Sequence, residues 1–201
     1  MKPFAESCEQ NKQPILQVLK TRFADVKSVL EIGSGTGQHA VYFAAHLPHL
    51  RWLTSDVQAQ QAGIQAWLRE AGLDNLTGPM VLDVNQPEWP VVAIDAVFSA
   101  NTVHIIDWPG VENMFAGIGR VLRPQGVFCL YGPFNYGGGY TCESNAEFDR
   151  WLQTQDPNSA IRDFEALNEL ADAHDLVLIE DHAMPANNHI LVWQKAQIVE
   201  R

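Results

Sequence analysis

Three glycines at alternate positions, Gly33, Gly35 and Gly37, are the residues of this sequence whose type and spacing most clearly suit a chemical task. Glycine lets the backbone turn sharply and lets a ligand approach where a Cβ would stand in the way. The apolar run Val29 to Ile32 precedes them and contains one acid, Glu31. A strand, a glycine turn and a helix with free N–H groups at its start would form a site for a polar ligand. A turn that is glycine-rich for purely structural reasons is the alternative.

Two further acids follow later apolar runs. Asp56 ends the run that begins at Arg51, where a carboxylate can accept hydrogen bonds from both hydroxyls of a ribose. A helix N-cap is the alternative role for Asp56, because a helical pattern follows it. Asp83 comes after the next short run and could equally close an Asx turn. Glu31, Asp56 and Asp83 at the ends of three successive strands are more specific together than singly.

Candidate catalytic residues follow the next two apolar runs. His104 comes shortly after the run Ile94 to Ala100 and is the first candidate for a general base, with Tyr131 second. Asn101 belongs to the same loop as His104 and would face the reacting group. A histidine near the end of an apolar strand is also often structural, so that role for His104 stays open.

Polar residues late in the chain could hydrogen-bond a small polar acceptor. The candidates are Asn145, Arg162, Asn187 and Asn188, together with Asn11 near the start of the chain. An equal alternative is that the late residues tie loops together, as asparagines beside prolines often do. Phe148 and Met184 are predicted to belong to the core.

Strand and helix patterns alternate along the chain. Apolar runs predict strands near residues 29–32, 51–56, 79–82, 94–100 and 127–131, and a closing pair at 176–179 and 190–193. Apolar residues at helical spacing separate the strands, as in Ala40, Phe43, Ala44 and Leu47. The alternation predicts a doubly wound α/β sheet with helices on both faces, which binds ligands at the carboxyl ends of its strands.

Composition and charge narrow the classes of partner. The formal net charge is −11 and no basic run is visible, which disfavours nucleic acid. No run is apolar and long enough to cross a membrane, and the first residues lack the apolar stretch of a signal peptide. The three cysteines form neither a disulfide framework nor a metal-binding spacing. We therefore expect a cytoplasmic protein without a metal, and the sequence leaves its oligomeric state open.

The pattern E-x-G-x-G-x-G, from Glu31 to Gly37, resembles the first motif of class I S-adenosylmethionine-dependent methyltransferases. The resemblance covers nearly the whole chain. It implies a mostly parallel seven-stranded sheet with its last strand antiparallel, S-adenosylmethionine as cofactor and S-adenosylhomocysteine as product. Glu31 would orient the methionine part, Asp56 the ribose and Asp83 the adenine, with Val84 near the adenine ring. The implied cofactor-binding set is Glu31, Gly33, Ser34, Gly35, Gly37, Asp56, Asp83, Val84 and Asn101.

Further motifs resemble a narrower group, methyltransferase-like protein 26 and its bacterial relatives, which is catalogued as domain of unknown function 938. The motifs are residues 10–16 (QNKQPIL), 131–133 (YGP), 144–145 (SN) with 148–149 (FD), 162–163 (RD) and 184–188 (MPANN). This resemblance implies a fold and a cofactor but no substrate. Gln10 departs from it, because relatives often carry arginine there.

The expected organisation is a single domain over residues 1–201. Residues 1–25 would form a helical cap, 28–135 the cofactor-binding core, and 136–201 the acceptor-side loops, helices and closing strands. Phe4, Asn11 and Lys12 are candidates to cover the cofactor, although a frayed terminus is equally compatible with the sequence.

The expected function is a methyltransferase that acts on a small polar molecule. A non-catalytic sensor or scaffold that binds S-adenosylmethionine is the alternative. A nicotinamide-dependent oxidoreductase is less favoured, because Gln38 stands where the dinucleotide fingerprint has its third glycine.

Overall fold

The computed structural model describes residues 2–91 and 93–197. Its elements in chain order are α1 (Glu6–Arg22), β1 (Ser28–Ile32), α2 (Gln38–His46), β2 (Arg51–Asp56), α3 (Gln61–Ala71), β3 (Leu76–Val81), β4 (Ile94–Ala100), α4 (Trp108–Val121), β5 (Leu122–Gly132), β6 (Phe134–Asn135), α5 (Glu143–Gln155), β7 (Arg162–Asp163), α6 (Phe164–Ala173), β8 (Leu176–Met184) and β9 (Asn188–Lys195). Short 3₁₀ turns cover Gln58–Gln60, Thr102–His104 and Pro185–Asn187. None of the helices in these ranges is both long and apolar enough to span a membrane.

Seven strands form one sheet in the order β3-β2-β1-β4-β5-β9-β8. The pairs from β3 to β5 are parallel, and β9 runs antiparallel to both of its neighbours, β5 and β8. This confirms the predicted doubly wound, mostly parallel seven-stranded sheet with its last strand antiparallel. The chain order reverses between β1 and β4, and ligands of such sheets bind in the crevice at that point.

Helices cover both faces of the sheet, as the sequence predicts. Leu30 and Ile32 of β1 point into one apolar cluster with residues of α4 and α6, such as Phe115 and Leu167. Val29 points into the opposite cluster with residues of α1, α2 and α3. All five residues of β1 are buried, which explains why both of its faces are apolar.

Helix α1 starts at Glu6, and the acids in its first turn and the bases in its last turn favour a helix whose surface is mostly polar. Two strands begin earlier than their sequence patterns indicate. Strand β5 starts at Leu122 rather than near residue 127. Strand β3 starts at Leu76 rather than at Pro79. It is an edge strand of the sheet, so polar residues and a proline are tolerated there.

Candidate functional site

The glycine turn links β1 to α2 at the switch point of the sheet. Its three glycines all have positive φ angles, 72° at Gly33, 56° at Gly35 and 90° at Gly37. The N–H groups of Gly33 and Ser34 both donate to the carbonyl of Ser55 at 3.0 Å, which ties the turn to β2. A Cβ on Gly33 would collide with the Thr102 hydroxyl, whereas a Cβ on Gly35 would meet nothing within 4 Å. The turn therefore packs against protein at Gly33 and leaves open space at Gly35.

Glu31 braces the turn from below. Its side chain is 2% exposed, and its Oε2 accepts hydrogen bonds from the Ser34 hydroxyl at 2.8 Å and the Trp52 indole N–H at 3.2 Å. Burial raises the pKa of the Glu31 carboxyl to about 7. The Ser34 hydroxyl points inward to Glu31, and the Ser34 carbonyl accepts from the Gly37 N–H at 2.8 Å, so Ser34 shapes the turn.

Asp56 stands beside the turn at the end of β2. Its Oδ2 accepts from the Gly35 N–H and its Oδ1 from the Val57 N–H, both at 2.8 Å. The following 3₁₀ turn is capped by Val57 and helix α3 by Gln60, so Asp56 is not the N-cap that the sequence offered as its alternative role. Its carboxylate lies at the rim of the open space above Gly35.

A cavity of about 520 Å³ lies next to the end of β2, and Val57, Leu82 and Asp83 belong to its wall. The Asp83 Oδ1 accepts from the Asn85 N–H at 2.9 Å, which is the Asx turn considered from the sequence. Val84 is 8% exposed and packs in the core, and it is not part of the cavity wall. Exposed apolar side chains that face this cavity include Val57, which is 42% exposed, and Val81, which is 49% exposed.

Val57 was missed by the sequence analysis, although one signal was available. It is an apolar residue directly after a strand-end acid, in a segment where the chain leaves the core. Val84 has the same position after Asp83, but the Asx turn there points its side chain inward. At both places a valine follows an aspartate, so the sequence pattern is the same. Only the geometry of the turn decides which valine faces the cavity and which faces the core.

A larger cavity of about 790 Å³ opens at the ends of β4 and β5. It brings together six of the residues predicted from the sequence: Asn11, Asn101, His104, Tyr131, Asn145 and Asn188. The segment between β8 and β9 adds Pro185 and Ala186 to the wall. The Gln10 side chain also lines this cavity.

His104 lies in the cavity wall and is 1% exposed. Among the described residues, neither of its ring nitrogens has a hydrogen-bond partner. A Cβ on Gly132 would collide with the His104 Nε2, so the glycine makes room for the ring. Buried polar groups without partners are rare in proteins and are often functional. Burial lowers the pKa of the His104 imidazole to about 3, so the ring is neutral near pH 7.

Asn11 lies between His39 and Tyr131. The His39 Nε2 and the Asn11 Oδ1 are 2.6 Å apart, and the Asn11 side chain also lies beside the Tyr131 hydroxyl. Burial raises the pKa of the Tyr131 phenol. A phenol that keeps its proton can donate a hydrogen bond. This favours Tyr131 as a hydrogen-bond donor over Tyr131 as a general base, the role that the sequence suggested as second choice.

Arg162 and Asn187 do not line the cavity. The Arg162 guanidinium donates to the carbonyls of Val103 at 3.0 Å, Ile106 at 2.6 Å and Asn158 at 2.9 Å. Asn187 lies in the left-handed region with φ of 56°, and its carbonyl accepts from the Asn145 amide at 3.3 Å. Both residues therefore tie loops together, the alternative that the sequence left open.

Phe148 is not the core residue that the sequence predicted. Its side chain is 36% exposed and lines the larger cavity, together with Trp151, which is 54% exposed. Both belong to α5, where a short helix was correctly predicted. The helical spacing showed which side chains share a face, but what this face meets depends on the loops around it.

The segment before α1 is docked rather than frayed. The Ala5 N–H donates to the Gln38 Oε1 at 2.6 Å, and the Gln38 Nε2 donates to the Glu9 carboxylate at 2.9 Å. The Trp67 indole N–H donates to the Pro3 carbonyl at 2.7 Å. Gln38, which stands where a dinucleotide fingerprint has glycine, thus anchors the N-terminal segment to the start of α2.

In the described ranges, no group of three or more His, Cys, Asp or Glu residues lies close enough to hold a metal ion. The polar groups at the switch point are instead carboxylates, amides, a neutral imidazole and a phenol. These groups can orient an organic ligand and accept or donate a proton.

Buried neutral His104 also predicts how stability depends on pH. Its folded pKa of about 3 lies below the usual unfolded value of about 6.5, so the unfolded chain binds the proton more readily. The free energy of unfolding is therefore highest above about pH 6.5 and falls as the pH decreases from there toward 3. Between pH 7 and pH 5, the wild type should lose about 2 kcal/mol more unfolding free energy than His104→Asn. Urea denaturation at both pH values measures this, and equal losses would contradict it.

The strand order, with the glycine turn and both cavities at the carboxyl ends of β1, β2 and β4, defines a class I methyltransferase fold. An O-methyltransferase family protein from Burkholderia thailandensis has a TM-score of 0.82 and 13% identity over 92% of this chain and 56% of its own. The apo S-adenosylmethionine-dependent methyltransferase SibL scores 0.80 at 18% identity, over 94% and 56%. The YcgJ protein of Bacillus subtilis scores 0.71 at 14% identity, over 95% and 100%. This chain therefore spans a little over half of the first two structures, and the likeness establishes the fold.

The chain belongs to the protein family described as "Protein of unknown function (DUF938)", whose family model matches residues 2–195. This confirms the domain of unknown function 938 that the motifs indicated.

Proposed function

We propose that this protein is an S-adenosylmethionine-dependent methyltransferase that acts on a small molecule held in the 790 Å³ cavity. The observation that carries the proposal is the open space above Gly35, which is bordered by the Asp56 carboxylate and lies at the switch point of a methyltransferase fold. Residues 28–135 would bind the cofactor, 1–25 would cover it, and 136–201 would enclose the acceptor. Within the family, the motifs favour a relationship to methyltransferase-like protein 26.

The residues around the turn suit the cofactor's parts. The Asp56 carboxylate can accept from ribose hydroxyls, and Val57 and Asp83 line a cavity into which an adenine ring would fit. The buried Glu31 carboxylate lies beneath the turn, where it favours the positive charge of an amino group. The missing Cβ at Gly35 leaves the space that a methionine chain needs.

When bound, S-adenosylmethionine supplies a methyl group that its positively charged sulfur has already activated. The protein then has to position the acceptor, exclude water and receive a proton. Neutral His104 can accept that proton, while the Tyr131 hydroxyl donates a hydrogen bond that orients the acceptor. Asn101 joins the two parts of the site, because it follows β4 and lines the acceptor cavity.

Isothermal titration calorimetry of the purified protein tests the cofactor assignment. We expect binding of S-adenosylmethionine and S-adenosylhomocysteine and no binding of nicotinamide dinucleotides. Absence of heat with both sulfur ligands, on folded protein, would refute the proposal. Binding without transfer of a labelled methyl group into any component of a cell extract would point to the non-catalytic alternative.

Gly35→Ala should weaken S-adenosylmethionine binding by at least tenfold, because the new methyl enters the space reserved for the ligand. The free energy of unfolding should fall by only about 1–2 kcal/mol, the cost of a left-handed alanine. Gly33→Ala is the matched control. Its methyl collides with Thr102, so it should destabilise the free protein more than Gly35→Ala does. Calorimetry and urea denaturation measure the two effects, and wild-type affinity in Gly35→Ala would exclude this space as the cofactor site.

A further inference from the structure

The face of α5 that lines the large cavity is unusually apolar for a solvent-exposed surface. Phe148 and Trp151 stack on each other with ring centroids 5.7 Å apart and planes 15° apart. Ile105, which also lines the cavity, is 62% exposed. Leu152 continues the face inward and is 4% exposed. Exposed apolar clusters at the mouth of a cavity mark binding surfaces for apolar ligands.

The charges of the cavity wall further restrict the class of ligand that can bind. Of the described residues that line this cavity, only Asp156 carries a formal charge, and none is a lysine or arginine. Arg162 lies nearby in sequence, but its guanidinium is engaged by three backbone carbonyls. An anionic ligand would lose its hydration without gaining a counterion from the protein, whose net charge is −11.

Polar side chains of the cavity wall come from several elements, and two that can take part in proton transfer lie where β4 and β5 end. His104 contributes two ring nitrogens without partners among the described residues, and Tyr131 contributes a protonated hydroxyl. Leaving a buried polar group unsatisfied costs about 1–3 kcal/mol, which a ligand hydroxyl or N–H would relieve. The exposed surface of the cavity is thus mostly apolar and partly aromatic, with one polar cluster where β4 and β5 end and single amide and hydroxyl groups elsewhere in the wall.

We propose that the acceptor is an uncharged, largely apolar aromatic molecule that presents a single hydroxyl to His104 and packs its rings against Phe148 and Trp151. This inference rests on the proposed function and replaces the small polar acceptor expected from the sequence. A volume of about 790 Å³ suits a drug-sized aromatic compound.

The transfer balances with the groups present. The acceptor's hydroxyl oxygen forms a bond to the methyl carbon, and the carbon–sulfur bond breaks with its electron pair remaining on the cofactor's sulfur. The hydroxyl proton passes to the unprotonated ring nitrogen of His104, which afterwards releases it to water. The positive charge of the cofactor is thereby converted into one released proton.

Three probes with the same ring system test the charge and polarity of the ligand. We expect 2-naphthol to bind in calorimetry at pH 7.5 with S-adenosylhomocysteine present, and 2-naphthoate and 2-naphthylmethylammonium to bind at least tenfold more weakly. Trp151→Ala and Phe148→Ala should each weaken 2-naphthol binding by about two- to tenfold, the range of aromatic pair energies. Val177→Ala removes a comparably exposed apolar side chain on β8, away from the cavity, and should change nothing. Equal or tighter binding of either charged probe, or wild-type affinity in both aromatic variants, would overturn the inference.

The product of the natural reaction gives an independent measurement. A metabolite extract incubated with methyl-labelled S-adenosylmethionine and the protein should yield label that partitions into ethyl acetate at neutral pH. Label that stays in the aqueous phase would overturn the aromatic acceptor while leaving the methyltransferase assignment intact. Failure to bind S-adenosylmethionine, with 2-naphthol still bound, would instead refute the proposed function and leave the ligand class of the cavity standing.

Discussion

His104→Ala is expected to lower the rate of methyl transfer about a hundredfold while leaving S-adenosylmethionine affinity nearly unchanged. Positioned bases contribute about 10²- to 10⁴-fold. We expect the lower end, because a pKa of about 3 makes the imidazole a weak base. The ring lines the acceptor cavity and is absent from the turn beside Asp56, so its loss should affect transfer rather than cofactor binding.

The pH profile separates catalysis by His104 from a structural role. From the sequence alone, an acidic-limb ionisation near pH 6.5 would be expected. Burial lowers the His104 pKa to about 3, so the wild-type rate should show no ionisation of this group between pH 5 and 8. His104→Gln is the matched variant, since it keeps hydrogen-bonding capacity but cannot accept the proton, and it should be as slow as His104→Ala. Wild-type turnover in both variants would assign His104 a structural role.

Asp56→Asn is expected to weaken S-adenosylmethionine binding by about ten- to a hundredfold. Hydrogen bonds to a charged group contribute about 1.5–3 kcal/mol, and about 1.4 kcal/mol corresponds to a factor of ten. The asparagine side chain keeps one oxygen that can accept from Gly35 or Val57, so the free protein should melt only slightly earlier.

Asp95→Asn is the matched control for Asp56→Asn. Asp95 lies near the start of β4, at the end of the strands opposite to the candidate site. Its carboxylate accepts from the Ser28 N–H at 3.0 Å and pairs with Arg123. Its substitution should lower the melting temperature without changing cofactor affinity. Intact S-adenosylmethionine binding in Asp56→Asn, together with a large loss of stability, would mean that Asp56 only braces the glycine turn.

The sequence by itself determined the architecture and predicted where the candidate site lies. The apolar run of β1 is buried on both faces, which requires a central strand covered by helices on each side. A glycine turn after such a strand, followed by acids at the ends of the next two strands, locates the ligand crevice at the carboxyl edge. These features can be recognised from local sequence patterns. Each helix or strand must satisfy its own backbone hydrogen bonds and bury its own apolar face, and this leaves a pattern in its residues.

Only the tertiary structure decided what individual side chains do at that edge. Val57 and Val84 follow equivalent acids, but one faces a cavity and the other the core. Phe148 is apolar like a core residue, yet it is half-exposed because the loops around α5 leave the cavity open. The low pKa of His104 comes from burial among elements far apart in the chain. The desolvation of a side chain and the shape of a cavity depend on all neighbouring residues together. Local sequence patterns do not show which distant residues become neighbours.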